Sequence, residues 1–102
     1  MSTYPALETK VLEWAQIRGI LDDSDPKTQC LKFVSEAGEL ADAVASRNKE
    51  ETIDAIGDVM VTLIILAELE NLDVMHCLES AFDVISRRTG KMVEGIFVKD
   101  VL

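Results

Sequence analysis

Histidine is nearly absent from this 102-residue chain, and His76 is its only example. Cysteine is scarce as well: Cys30 and Cys77 have no C-x-x-C spacing. Zinc and copper centres favour imidazole and thiolate, so this composition argues against both. It also argues against a helical di-iron site, which needs two Glu-x-x-His motifs. Both cysteines fall in helical patterns and read as buried free thiols in a reducing cytoplasm. Basic residues are outnumbered, 10 against 19 acidic, and the net charge of −9 disfavours long contact with a nucleic-acid backbone. A small anion stays admissible, because a bound divalent cation inverts the local field. With only 5% aromatics, a stacking surface would rest on very few side chains, and Trp14 reads as core. The densest apolar run, Val59 to Ala67, is far short of the roughly 20 residues a membrane span needs. No charged-then-apolar leader opens the chain. The expectation is a cytoplasmic protein with neither membrane nor nucleic-acid polymer as partner.

What is present is apolar residue, 48% of the total, enough for one globular domain over residues 1–102. At this length partners often share the burial. The spacing of Leu7, Val11, Trp14 and Arg18 predicts a first helix, opened near Pro5 and stopped by Gly19. DDSDP, residues 22–26, reads as a polar connector whose Asp25-Pro26 starts a second helix running to about Ser46. Its apolar stripe is Cys30, Phe33, Val34, Ala37, Ala41 and Val44, and Lys32, Glu36 and Glu39 share an adjacent face. Asn48, with Glu51 three residues on, resembles a capping box and opens a third helix. Ile53, Ile56, Met60, Leu63, Ile64 and Ala67 cover one side of it. Asp73 caps a fourth helix, with Val74, Cys77, Leu78, Ala81, Phe82 and Ile85 towards the core, Arg88 at the buried edge and Gly90 as the stop. The remaining tail is an extended arm or a small hairpin turning at Glu94-Gly95.

The chemistry-bearing residues are acids. Glu36 and Glu39 lie three apart on one helix; Glu51, Asp54 and Asp58 follow at three and four on the next. An acid pair at helical spacing is ordinarily a solvated face. Here the stripe of Glu51, Asp54 and Asp58 continues into Val61, Thr62 and Ile65, so the acids stand at the mouth of a buried surface. Two like charges about 5 Å apart repel by roughly 3 kcal/mol at an effective dielectric near 20, and several in one cleft call for a cation. An all-oxygen donor set suits Mg²⁺, Mn²⁺ or Ca²⁺. Magnesium usually joins carboxylates to substrate phosphates, and Lys32 and Arg88 would then hold phosphate oxygens.

The Glu36-x-x-Glu39 element in SEAGELADAV, followed by DAIGDVMVTLI, resembles the MazG-like branch of the all-α nucleotide pyrophosphohydrolases. Trp14-Ala15, Arg18-Gly19 and the ending RTGKMVEGIFVKD look like the short, single-domain members. The resemblance implies an all-α, four-helix protomer assembling into a helical-bundle dimer or tetramer. It also implies Mg²⁺-dependent hydrolysis of a nucleoside triphosphate to the monophosphate and pyrophosphate, a housecleaning role, with Mn²⁺ as a substitute. Carried over, Glu36 and Glu39 are the catalytic residues, Glu36, Glu39, Asp54 and Asp58 the metal ligands, and Lys32, Arg88, Lys91 and Lys99 the triphosphate contacts. Two positions depart from the family pattern. Ser35 stands where an adjacent glutamate is common, leaving the general base open. Ala55 stands where the Gly-Asp register wants a glutamate, so either Glu51 or Asp58 completes the second motif. The alternative from another class is a catalytically silent helical interaction or regulatory module that keeps the fold.

Overall fold

Side-chain caps start each of the longer helices. The Thr3 hydroxyl accepts from Ala6 N–H, Asp25 from Thr28, Asn48 from Glu51 and Asp73 from Met75. The computed structural model describes residues 2–101. The elements in chain order are α1 (Tyr4–Ile17), α2 (Ile20–Asp23), α3 (Pro26–Ala45), α4 (Lys49–Leu69), α5 (Val74–Ile85), β1 (Gly90–Val93) and β2 (Ile96–Lys99). No described helix is long and apolar enough to cross a membrane.

α3 and α4 are joined by a tight Schellman turn. Asn48 N–H donates to the Ala43 carbonyl and Arg47 N–H to that of Val44, with Arg47 left-handed at φ 58°. So short a connector folds the two helices back on one another, and they form the main packed pair. Ala43 of α3 and Ala55 of α4 are buried in that seam. Further along α4, Thr62 and Ile65 are buried, Ile65 only 2% exposed. The acid stripe of α4 therefore does lead into the interior. α1 covers the other flank of α4 through the fully buried Ala15.

Several expectations are corrected. The connector after Gly19 holds a fifth helix, the single turn α2: left-handed Gly19 (φ 81°) breaks α1, and Asp22 and Asp23 favour a new helix N-terminus. α5 ends at Ile85, before Gly90. Gly90 instead opens β1, where a Cβ would collide with the backbone of Val98 and Lys99. The tail is a hairpin in the register Val93↔Ile96, turned by Glu94 and Gly95, both at positive φ, as a two-residue type I′ loop requires. The fold is thus mostly helical with a small antiparallel ribbon. α3 packs through Phe33, Glu36, Ala37, Leu40 and Ala43, leaving Cys30, Val34, Ala41 and Val44 of the expected stripe more open. Ile53 (66% exposed), Ile56, Met60 and Leu63 of α4 are also open to solvent. So are Cys77, Leu78, Ala81, Phe82 (62% exposed), Ile85 and Arg88; the expected core face of α5 meets α4 at its start, around the partly buried Val74, and is open beyond it. Trp14 is half-exposed. Both thiols are free but exposed, on the wall of an apolar cavity of about 640 Å³ between the ends of α3, α4 and α5.

These open faces show in the dimensions. The chain exposes 8072 Å², whereas a compact monomer of its length exposes about 5,700 Å². Its radius of gyration is 16.2 Å, against about 13 Å for a compact domain.

The cap at the head of α4 sets the seam, so Asn48→Ala should cost about 1 kcal/mol of stability. A urea melt with unchanged m-value checks it, and an undiminished midpoint contradicts it.

Candidate active site

The site is built on the seam between α3 and α4. Lys32, Glu36 and Glu39 project from one face of α3 because they are spaced by four and three. Lys32 Nζ lies 3.0 Å from Glu36 Oε1. Glu36 is only 8% exposed, a buried acid paired across one helical turn, while the lysine reaches to solvent. Asp54 and Asp58 stand one turn apart on the facing side of α4, Asp58 half-buried.

These groups feel one another. The hydrogen bond from Lys32 holds the Glu36 carboxyl below its ordinary range, helped by a hydrogen bond with Glu39. Glu39 moves the other way: its hydrogen bond with ionised Glu36, and then the Glu36 charge itself, raise it. Asp58 is raised by burial, then by the charges of Asp54 and Glu36, with Lys32 opposing. Lys32 is raised in turn, chiefly by Glu36. Two carboxyls thus hold protons more tightly than usual beside one that stays ionised.

Beside this network lies a cleft of about 510 Å³, lined by Glu39, Asp42, Ser46, Glu51, Asp54 and Asp58 over a floor of Ala43 and Ala55. The predicted Glu39, Asp54 and Asp58 therefore come together, with Glu36 and Lys32 at the edge. Glu51 and Asp58 both face the cleft, so the two registers of the second motif share one site; Asp58 is the acid that interacts with Glu36, Lys32 and Asp54. Sequence reasoning missed Asp42, although it continues the Glu36–Glu39 face three residues further on. Arg88, Lys91 and Lys99 are exposed and do not line this cleft.

Among the described residues, no three His, Cys, Asp or Glu side chains form a ready-made metal cage. The donor chemistry nevertheless fits a hard divalent cation: every candidate ligand is a carboxylate, and two hold protons tightly, Glu39 through its hydrogen bond with Glu36 and Asp58 through burial and neighbouring negative charge. Mg²⁺ typically needs only one or two protein carboxylates beside waters and phosphate oxygens.

A helical protein that crowds carboxylates between two adjoining helices is thus defined by its fold and cleft. The family model of the MazG nucleotide pyrophosphohydrolase domain matches residues 24–93, from the start of α3 through β1, and the chain belongs to that family. A protein of Haemophilus phage HP1 (strain HP1c1), named as an uncharacterized 18.2 kDa protein in the rep-hol intergenic region, is 34% identical over 73 residues. The match takes in 72% of this chain but 45% of the phage protein, so the chain spans less than half of that relative's length. No solved structure matches it.

The opposed shifts fix the pH behaviour. Glu39 and Asp58, raised on folding, add stability that is complete below the ordinary carboxylate range and is lost as pH rises through their raised values. Glu36, lowered, adds stability present above its ordinary value and lost as pH falls through the lowered one. Asp58→Asn should therefore raise Tm by a few degrees at neutral pH in metal-free buffer, with the gain shrinking on acidification. Thermal melts across pH read this, and a variant less stable at neutral pH contradicts the crowding.

Proposed function

We propose that the protein hydrolyses nucleoside triphosphates, deoxynucleotides or non-standard ones, to the monophosphate and pyrophosphate with Mg²⁺, in a housecleaning role. The observation that carries this reading is the Lys32–Glu36–Glu39–Asp58 network at the edge of a carboxylate cleft, in a chain of the MazG family.

A bound Mg²⁺ would be held by Glu36, Glu39, Asp54 and Asp58, with Mn²⁺ as a substitute, and would neutralise charge on the phosphates when present. Lys32 keeps Glu36 ionised and oriented by the bond between them, and its exposed end is available to a phosphate oxygen. Glu39 is the candidate to take the proton of the attacking water, being the acid of the pair whose hydrogen bond with Glu36 raises its proton affinity. Water adds to the α-phosphorus, the bond to the bridging oxygen breaks, and pyrophosphate leaves. The alanine floor leaves the cleft free of bulky side chains between the two helices.

The same reading makes the chain a homodimer or homotetramer. Roughly 2,300 Å² of surface beyond that of a compact monomer exceeds the 800 Å² or so that each partner buries in a standard interface. Most large apolar side chains of α5 lie in that surface. Sedimentation at micromolar concentration should find no monomer, and a monomer would contradict the assembly.

Pyrophosphate release from a panel of (d)NTPs, with Mg²⁺ and with chelator, tests the activity. Turnover should require the metal, and Asp58→Asn or Glu39→Gln should lower it on the order of 100-fold or more. No turnover on any nucleotide would leave the silent interaction module as the better account.

A further inference from the structure

The inward face of α3 carries a second polar site towards its N-terminal end. Gln29 stands seven residues before Glu36 on that face, two helical turns and about 10 Å along the axis, and is half-buried like Phe33 between them. Its side-chain amide donates to the Ser24 hydroxyl at 3.0 Å, across the joint between α2 and α3. That bond turns the amide nitrogen towards the protein and leaves the Oε1 carbonyl with no partner among the described residues. Arg18, at the end of α1, makes no ion pair among the described residues.

Arg18, Ser24 and Gln29 line one pocket of about 290 Å³ together with Gly19, Asp23 and Thr28. Its walls are tied in place. Gln16 of α1 donates to the Asp22 carboxylate at 2.9 Å, and Asp25 accepts from the Thr28 N–H at 2.7 Å. Gly19 sits at φ 81°, where a side chain would be strained and a Cβ would crowd the Asp23 carboxylate at 3.3 Å. The lining joins a guanidinium, an amide carbonyl, two hydroxyls and one carboxylate. With Asp22 and Asp25 next to it in sequence, the pocket disfavours a phosphate. Its mixture of donors and acceptors suits the edge of an uncharged heterocycle.

We propose that this pocket takes the base of the nucleotide and that Gln29 and Arg18 set the base preference. Gln29 accepts a hydrogen bond from the base edge through Oε1, and Arg18 donates one to an oxygen or ring nitrogen on the same edge. The identity of the ligand as a nucleotide rests on the reading above. The spacing along α3 fits it: Lys32, Glu36 and Glu39 serve the phosphate end, and the two turns back to Gln29 leave room for the sugar. Neither Gln29 nor Arg18 lines the carboxylate cleft, so both act on affinity and on the choice of base. A ligand made of phosphates alone leaves both groups unmet.

Calorimetry in Mg²⁺ tests this by comparing inorganic triphosphate with the α,β-methylene analogues of the four common nucleoside triphosphates. The wild type should rank the four bases and bind its preferred analogue about tenfold tighter than inorganic triphosphate. Gln29→Ala and Arg18→Ala should each weaken the preferred analogue roughly five- to tenfold, as loss of one hydrogen bond does, and narrow the ranking. Both variants should bind inorganic triphosphate as the wild type does, which a general disturbance of the fold would not allow. A wild type that holds the analogues no tighter than inorganic triphosphate overturns the base pocket and leaves the triphosphate site standing. Variants that keep the full ranking, or that weaken inorganic triphosphate by the same factor, overturn the base pocket as well. A wild type that binds neither kind of ligand overturns the nucleotide reading, and the base pocket with it.

Discussion

Repulsion between carboxylates across the α3–α4 seam governs how this chain can behave alone and what it needs from outside. Glu36 is buried there and remains ionised because Lys32 is bonded to it one turn away. That fixed negative charge then raises Glu39 and contributes to raising Asp58. The helices are held close by the short turn at Arg47 and by alanines at the contact, so the acids cannot relax by moving apart. Such an arrangement costs stability in the free protein, and a bound divalent cation would offset the cost.

The second constraint is surface. A pair of long helices with α1 laid along one flank buries few large side chains, and the buried apolar set is dominated by alanine and isoleucine. Among the described elements α5 lies closest to α4, with Tyr4 of α1 beside Met75, and the hairpin strands approach no helix within 8 Å, Cα to Cα. What one chain leaves open is largely apolar, and the proposal of assembly has its origin there: large side chains of α4, α5 and the hairpin lack a cover among the described residues.

Much of this was legible because helical spacing is local. The intervals among Glu36, Glu39, Asp54 and Asp58 and the run into Thr62 and Ile65 follow from 3.6-residue periodicity, and the caps at Asp25, Asn48 and Asp73 from side chains that accept a backbone N–H in the first turn. Other features depend on which neighbour a face meets. Cys30, Val34 and Val44 make as good a stripe on α3 as Phe33, Leu40 and Ala43, and spacing cannot say which of two apolar faces packs within the chain. Gly90 was ambiguous for a similar reason: a glycine after a helix reads as a stop, and here it serves the close approach of the two strands. Asp42 lay one step along a face already recognised, but nothing local distinguished it from a solvated acid.

Whether the crowded carboxylates of α3 and α4 form a cation-dependent triphosphate site can be tested without turnover. The measurement is calorimetric binding of a nucleoside triphosphate analogue with a methylene bridge between the α and β phosphates. Saturable binding is expected in Mg²⁺, lost on chelation and lost in Asp58→Asn. Equal binding in chelator, or binding unchanged by that substitution, would contradict a site built on these acids.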